Sequence, residues 1–563
     1  MTVWDTARRD WADVIVGRRS IVPASLPSPQ RAEKALRIFK RLRLVDVPGS
    51  PRLGEICASW VFEFVSAIFG AYDEVASRQI VREVFLLIAK KNSKSSIAAG
   101  IMVTALIMHT RRQEEFLILA PTKDVADNSF GPARGMIEAD ETLAKRFKAG
   151  AVSREIEDRL DGAILAVKAA DADVVGGQKA TCVLIDEFWL FGKKPAAENI
   201  LSEATGSLVS RPDGFVVYLT TQSDEPPAGV FRKKLDYHRK VRDGIIRDPS
   251  SLPVIYEFPR MMIDDKRWQD PRHWYIPNPN IGRSVDFDWL VATAAKAEHD
   301  GPDSFRMFAA KHLNVEVGLA LRSDAWAGAD YWQDQSDPDL TIEAVIERSE
   351  VIAVGIDGGG LDDLMALAVL GRDGTTRDWL LWVKTWAHPI VLERRKSEAP
   401  RLLDFAANGE LVIVDRIGQD VEEIAELCAL LDDTGKLAQV GLDPMGIGAV
   451  IDELDEKSIG GDRVVAVSQG WKLSGAIKTA ERKLAEGSLI HAGQAIMAWA
   501  VGNAKVEPRG NAITITKAAA GTAKIDPLMA TFNAVALLSN NPQAVRRPQF
   551  QMFFLGHDAA KNR

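Results

Sequence analysis

The sequence predicts two α/β domains in succession, the first built on a parallel sheet and the second on a mixed one. Three observations predict them. An apolar strand over 84–89 runs through a short polar turn into an alanine-rich apolar helix over 97–108. A second apolar strand begins at Thr181 and ends in the adjacent carboxylates Asp186 and Glu187. Beyond residue 349, two strands end in Asp357 and Asp443, and a later helix carries Asp526 at its start.

Composition narrows the class. The chain has 563 residues, which at about 150 residues per domain suggests two to four domains. Hydrophobic residues at 46% and charged residues at 26% are those of an ordinary globular protein. The three cysteines, Cys57, Cys182 and Cys428, are far apart, which excludes a disulfide framework or a zinc cluster and fits a reducing cytoplasm. The N-terminus carries no secretory pattern. The longest apolar run, 97–108, falls short of the roughly 20 residues that cross a bilayer, so no membrane partner is expected. A net charge of −8 argues against a basic coat but leaves room for a local DNA-binding groove.

Residues 1–50 form a polar, basic extension broken by Pro23, Pro27 and Pro29, with an amphipathic basic helix over 31–43. A helix over 53–69 contains Trp60. The turn after the first strand reads Lys90, Lys91, Asn92, Ser93, Lys94, Ser95, and Ser96 follows it. Strand, tight turn, Lys-Ser and helix form the layout of a phosphate-binding loop. Backbone N–H groups at the helix N-terminus face an anion, Lys94 reaches the outer phosphates, and the Ser95 hydroxyl coordinates Mg²⁺. The pattern G-x-x-x-x-G-K-[ST] is met at Lys94 and Ser95, whereas Ile88 and Ser93 hold the two glycine positions. A strand over 115–121 and a mostly helical stretch over 122–147 follow. In nucleotide hydrolases an Asp-Glu pair at a strand end is the partner motif: Asp186 holds Mg²⁺ through water and Glu187 polarises the attacking water. The strand over 214–222 comes next. Strand–helix alternation calls for a parallel sheet covered on both faces, hence an N-terminal P-loop NTPase domain over 51–320. Its part from 224 to 320 reads as irregular, with the basic run 232–240 a solvated surface excursion ahead of the alternative, direct DNA contact.

A linker over 321–348 leads to the second domain, 349–540. Strands over 351–357, 364–370 and 379–386 read as a meander, followed by strands over 439–443 and 464–469. Asp357, Asp443 and Asp526 are what a two-metal nuclease needs. Their oxygens hold two divalent ions about 4 Å apart, one activating water and the other stabilising the leaving oxygen. This order of strands and acids matches the ribonuclease H-like fold. Residues 541–563 form a tail with Arg546, Arg547 and a Phe-rich end at Phe554.

Over roughly 50–540 the chain resembles the large terminase subunit of tailed bacteriophages. The resemblance rests on 89–95, on Ile185-Asp186-Glu187, and on Thr220-Thr221-Gln222. It rests also on Asn278-Pro279-Asn280 and 311–314, and on Asp357, Asp443-Pro444, Gln469-Gly470, 484–491, Asn503, Lys517 and 524–526. It implies ATP-driven movement of double-stranded viral DNA into a procapsid and metal-dependent cleavage of the concatemer. ATP–Mg²⁺ would be cradled by Lys90 or Lys91 with Asn92, Ser93, Lys94, Ser95 and Ser96. Asp186 would support the metal, Glu187 would position water, and Thr220 and Thr221 would sense the γ-phosphate. Arg134 and Arg146 are arginine-finger candidates. Mg²⁺ or Mn²⁺ on Asp357, Asp443 and Asp526 would serve the nuclease. The implied partners are a small terminase subunit and a portal protein, with a homo-pentamer on docking; the tail reads as a disordered terminus or, second, as a segment docking on the portal. The implied location is the host cytoplasm at the portal, not the mature virion. Ser93 departs from the family's glycine and is accommodated if its φ is negative. Other readings are a P-loop helicase-like ATPase with a non-cutting ribonuclease H-like clamp, a transposase- or resolvase-type nuclease with a structural first domain, and an assembly scaffold.

Overall fold

The apolar runs become neighbouring strands. The computed structural model describes residues 4–23, 25–170, 179–194, 196–316, 326–443, 448–510, 512–517 and 524–544. Pro444, the start of the expected linker, and the tail residues Arg546, Arg547 and Phe554 lie outside them. The chain divides into two units, Met1–Ser323 with Lys396–Asp404, and Asp324–Arg395 with Phe405–Arg563.

In the first unit, helices α1 (Pro29–Arg41) and α2 (Ser59–Gly70) precede β1 (Glu83–Leu87). Next come α3 (Lys94–Met108), β2 (Glu115–Ala120) and α4 (Lys123–Glu138). β3 (Phe147–Gly150), β4 (Glu155–Asp158), β5 (Ile164–Ala169) and β6 (Ala180–Ile185) follow. β7 (Phe215–Thr220), α5 (Gly229–Arg242), β8 (Ser251–Ile255) and α6 (Pro302–Leu313) complete the set used here. The sheet order is β8-β1-β7-β6-β2-β5-β4-β3. β8 through β5 run parallel. The expected parallel sheet is thus extended by two antiparallel strands, β4 and β3. Along β1, Val84 and Leu86 enter one hydrophobic core and Phe85 and Leu87 another, so both faces are covered. That is why the strand reads as an unbroken apolar run.

The segment expected to be irregular after residue 224 is in fact ordered around α5 and β8. Six Lys and Arg residues on α5 obscure its buried side, where Phe231, Leu235, His238 and Val241 recur at helical spacing. β8 carries Pro253 and is the sheet's edge strand, pairing with β1 through Pro253 opposite Phe85. An edge position tolerates the missing N–H. The basic N-terminal segment also packs inward. Trp11 Nε1 donates to the Ile255 carbonyl at 3.2 Å, and the Arg242 guanidinium lies 3.8 Å above the same ring.

In the second unit, β9 (Ser349–Gly358), β10 (Leu364–Asp373) and β11 (Trp379–Ala387) form the expected antiparallel meander. β12 (Leu411–Ile413), β13 (Leu437–Leu442), β14 (Val464–Ala466) and β15 (Leu489–His491) follow. The order is β12-β11-β10-β9-β13-β14, with β15 also beside β11. β13 joins β9 in parallel, and β14 joins β13 in parallel. A hairpin, β16 (Ala504–Arg509) with β17 (Ala512–Lys517), precedes helix α7 (Asp526–Leu538). Trp326 and Trp332, within the expected linker, are buried in this unit, and Trp332 stacks on His491 at 4.0 Å.

Helix α7 lies on β9 at a contact only glycine permits. A Cβ on Gly355 would sit 2.0 Å from the Ala530 carbonyl oxygen and 2.5 Å from the Ala534 nitrogen, both backbone atoms. Gly355→Ala is therefore expected to destabilise the second unit by about 3 kcal/mol or more, read as a lowered melting temperature. An unchanged melting temperature would contradict the close contact.

Candidate nucleotide and metal sites

The first site forms at the carboxyl ends of three adjacent strands, the position where open α/β sheets bind ligands. β1 leads into the 88–95 turn, β6 into Asp186 and Glu187, and β7 into Thr221 and Gln222. Ser93 caps α3 with φ 59° and ψ 23°, so the condition of a negative φ is not met. This left-handed conformation costs a residue with a Cβ about 1–2 kcal/mol. Lys91 shares it, with φ 75°.

The turn is held from behind. Asn92 is buried, and its Nδ2 donates to the Ala89 carbonyl at 3.0 Å and to Asn278 Oδ1 at 2.8 Å. Its Oδ1 accepts from the Asn280 backbone N–H at 3.0 Å, and Asn280 Nδ2 donates to the Asn92 carbonyl at 2.9 Å. Asn278 Nδ2 reaches the carbonyls of Trp274 and His312 at 3.0 and 2.8 Å. The Asn92 side chain is therefore a brace for the turn. Lys90 and Lys91 are exposed, and Ser95 and Ser96 are half-buried in the first turn of α3.

Lys94 Nζ lies 2.6 Å from Glu187 Oε1, joining the two motifs by an ion pair. Glu187 Oε2 accepts from Trp189 Nε1 at 2.6 Å. Burial opposes ionisation of Glu187, but Lys94 and Trp189 hold its carboxyl below the ordinary range. Asp186 is fully buried and accepts from Ser129 Oγ of α4 at 2.6 Å and from the Glu187 backbone N–H at 2.8 Å. Burial pushes its carboxyl up, against the pull of Lys94. Thr220 Oγ1 accepts from the Trp189 backbone N–H at 3.0 Å and donates to the Thr221 carbonyl at 2.7 Å. Lys311, pushed down to about 8 by burial, donates to the Gln222 carbonyl at 3.2 Å and lies 3.1 Å from the centre of the Trp189 ring. The arginine-finger candidates are both engaged within this unit. Arg146 grips the buried Asp158 at 2.7 Å, and Arg134 lies 3.5 Å from Glu138.

The second site follows from register. Ile356 of β9 lies opposite Leu442 of the parallel β13, so Asp357 and Asp443 leave neighbouring strands at the same end. Neighbouring strands lie about 4.8 Å apart. The Gly355 contact brings α7, and Asp526 at its start, onto β9. Asn533 of α7 donates to the Ile356 carbonyl at 2.8 Å and accepts from Gln469 Nε2 at 2.9 Å. Burial and then the charges of Asp526, Asp443 and Asp363 push the Asp357 carboxyl well above its ordinary range. Burial, then Asp363, pushes Asp526 up to about 7. Asp526 Oδ2 is buried without a hydrogen-bond partner among the described residues.

Asp363 was not foreseen. It lies between β9 and β10 and is ion-paired to the buried Lys524, with Lys517 Nζ 3.6 Å away. Burial opposes its ionisation, but Lys524 and Lys517 hold its carboxyl low. Lys524 also donates to the Asp362 carbonyl at 3.2 Å, and Asn503 Nδ2 holds the Lys524 carbonyl at 2.9 Å. An orphaned carboxylate oxygen among mutually repelling acids fits a hard divalent cation with oxygen ligands.

With this geometry in hand, comparisons with known proteins are informative. The family model for the ATPase domain of the terminase large subunit matches residues 60–235, and that for its endonuclease domain matches 254–541, more than half of the chain. The terminase large subunit of Lactococcus phage p2 is 22% identical over 465 residues, covering 80% of each chain. Protein YmfN of Escherichia coli (strain K12) is 22% identical over 333 residues, covering 58% of this chain and 70% of that protein. The crystal structure of the HK97 bacteriophage large terminase aligns with TM-score 0.44 at 18% identity, over 90% of this chain and 99% of that one.

Two predictions follow from the geometry. Ser93→Gly should relieve the left-handed strain and stabilise the first unit by about 0.5–1 kcal/mol, net of glycine's extra chain entropy, while ATP turnover is kept or raised. A clear fall in turnover would mean that the loop is misplaced. The second concerns pH. Because Asp526 keeps its proton up to about 7 in the folded chain but not in the unfolded one, stability should fall as pH rises from about 4 to 7. A divalent cation offsets that loss, so Mn²⁺ should raise the melting temperature more at pH 8 than at pH 5.5. Equal increments would dissolve the proposed ligand set.

Proposed function

Since this chain belongs to the terminase large subunit family, and is a DNA-packaging ATPase with a metal-dependent endonuclease domain, we propose which of its residues perform the two activities and in what assembly they act. The Lys94–Glu187 ion pair, at the junction of two nucleotide motifs, is the observation that carries the ATPase assignment. In the absence of nucleotide, each partner satisfies the other. Incoming phosphate oxygens take the Lys94 ammonium, with the backbone N–H groups of the turn and of α3 around them. Glu187 is released from Lys94 but stays hydrogen-bonded to Trp189, which aims its free oxygen at the attacking water. Ser95 and Asp186 would hold Mg²⁺, which would supply charge neutralisation at the outer phosphates. Ser129 orients the Asp186 carboxylate for that role. Thr220 holds the Trp189 backbone, so a change at Glu187 reaches β7 and Thr221 through two hydrogen bonds.

Cleavage falls to Asp357, Asp443 and Asp526, with Asp363 as a fourth acid. Mg²⁺ or Mn²⁺ held by these carboxylates supplies an activated water and a counter-charge for the leaving oxygen. Lys524 keeps Asp363 ionised next to Asp526, and Asn533 fixes the strand end that carries Asp357. The natural partners in this reading are double-stranded DNA, a small terminase subunit and a portal protein, with five copies assembling on the docked procapsid. The site of action is the host cytoplasm, and the chain does not remain in the mature virion. Among the described residues, no helix is long and apolar enough to cross a membrane.

The test separates the two chemistries. Wild-type protein should nick and linearise supercoiled plasmid in Mn²⁺ and hydrolyse ATP. Asp443→Ala should lose cleavage and keep ATP turnover, whereas Lys94→Ala should lose ATP turnover by roughly 100-fold or more and keep cleavage. No cleavage by folded wild type would leave the helicase-like clamp as the better account of the second unit.

A further inference from the structure

Helix α1 belongs to neither site, yet it carries a dense run of charge. We infer that the exposed face of α1 grips the phosphate backbone of double-stranded DNA. The inference rests on the reading of this chain as a DNA-handling motor. Ala32, Ala35 and Phe39 anchor the helix in the core of the first unit. At about 100° per residue, Lys34, Arg37, Lys40 and Arg41 fall within an arc of roughly 120° on the opposite side, and all four are exposed. Glu33, the one acid in the helix, is exposed within the same arc and leaves the stripe a net charge of about +3.

Several basic groups of the unit are already neutralised. Arg111, Arg146, Arg154 and Arg242 each meet a carboxylate at 2.7 Å. Among the described residues, Lys34, Arg37, Lys40 and Arg41 meet none within 4.0 Å. Lys40 is held instead over the Phe62 ring at 4.4 Å. In a chain of net charge −8, most of the surface repels a polyanion, so a stripe of unneutralised cations is where one can approach. Lys34 to Arg41 spans roughly 10 Å of helix, and a DNA strand carries a phosphate about every 3.4 Å, so about three phosphates face the stripe. Long cationic side chains on a convex helix read charge and no base edges, which suits a motor that must move any sequence.

The position of α1 adds a reason. It packs on α3, the helix that begins at Lys94, at another glycine contact: a Cβ on Gly100 would lie 2.6 Å from Phe39 Cε2 and 3.0 Å from Leu53 Cδ1. The DNA-gripping face and the phosphate-binding turn therefore sit on two helices in direct backbone-to-ring contact.

The test uses the full chain in EDTA, which prevents cutting, and a fluorescent 30-base-pair duplex titrated at several salt concentrations. Wild type and the triple variant K34Q/R37Q/R41Q are compared after melting curves show both folded. The variant should bind at least about tenfold more weakly near 0.1 M salt, and its log–log salt slope should be shallower by about 2 to 3. DNA-free ATP turnover should stay within about twofold of wild type, because none of these residues touches the nucleotide site. Equal affinity and slope would overturn the proposal and leave the stripe to an acidic protein surface or to solvent. Failure of the wild type itself to bind the duplex would overturn the DNA-handling reading, and this inference with it.

Discussion

A phosphate-binding turn without glycine has to be forced into shape, and in this chain Asn92 does the forcing. Ser93 and Lys91 both adopt left-handed conformations that their side chains disfavour. All three polar groups of Asn92 that point inward, its amide nitrogen, its amide oxygen and its carbonyl, are taken up by Ala89, Asn278 and Asn280. Trp60 closes the ring by donating to Asn280 Oδ1 at 2.8 Å. Such buried amide networks are costly when half-satisfied and rigid when complete. This one is complete, and it ties the turn to the segment before α6 and to the carbonyl of His312. The strain and the brace come as a pair: a glycine at 93 would need less of the second.

The second unit meets the opposite difficulty, since it must hold like charges together. Burial and three neighbouring acids drive Asp357 toward its neutral form, and Asp526 shares the problem. Geometry overrules the repulsion. The parallel register of β9 and β13 fixes two of the acids, Gly355 lets α7 close down with the third, and Lys524 neutralises the fourth. The fold stores in these carboxylates a demand for positive charge that a proton or a bound cation meets.

Much of this was legible in the sequence, and the reasons differ by element. Buried parallel strands are continuous apolar runs, so β1, β2, β6 and β7 could be read directly, with the acids at their ends. The meander and the order of Asp357, Asp443 and Asp526 were legible for the same reason. Helix α5 was not, because its lysines and arginines outnumber the buried side chains that define its spacing. Strand β8 was hidden by Pro253, whose tolerance depends on being at an edge, a fact of tertiary structure. Asp363, Ser129 and Trp189 carried no signal of their own. An acid in a loop, a serine in a helix and a tryptophan after an acidic pair become meaningful only when folding sets them against Lys524, Asp186 and Glu187. The φ of Ser93 was not legible either, because the brace behind the turn is contributed by residues nearly two hundred positions later.

The ion pair between Lys94 and Glu187 also sets a condition of exchange for whatever enters the site. A bare anion such as free phosphate satisfies the lysine but strands the glutamate, a half-buried charge with its counterion removed, so little is gained by its entry. A metal–triphosphate complex brings both signs at once: oxygens for the ammonium, and a cation that lowers the potential around the carboxylates. Two side chains 2.6 Å apart thereby favour a ligand of matched charge over a loose anion.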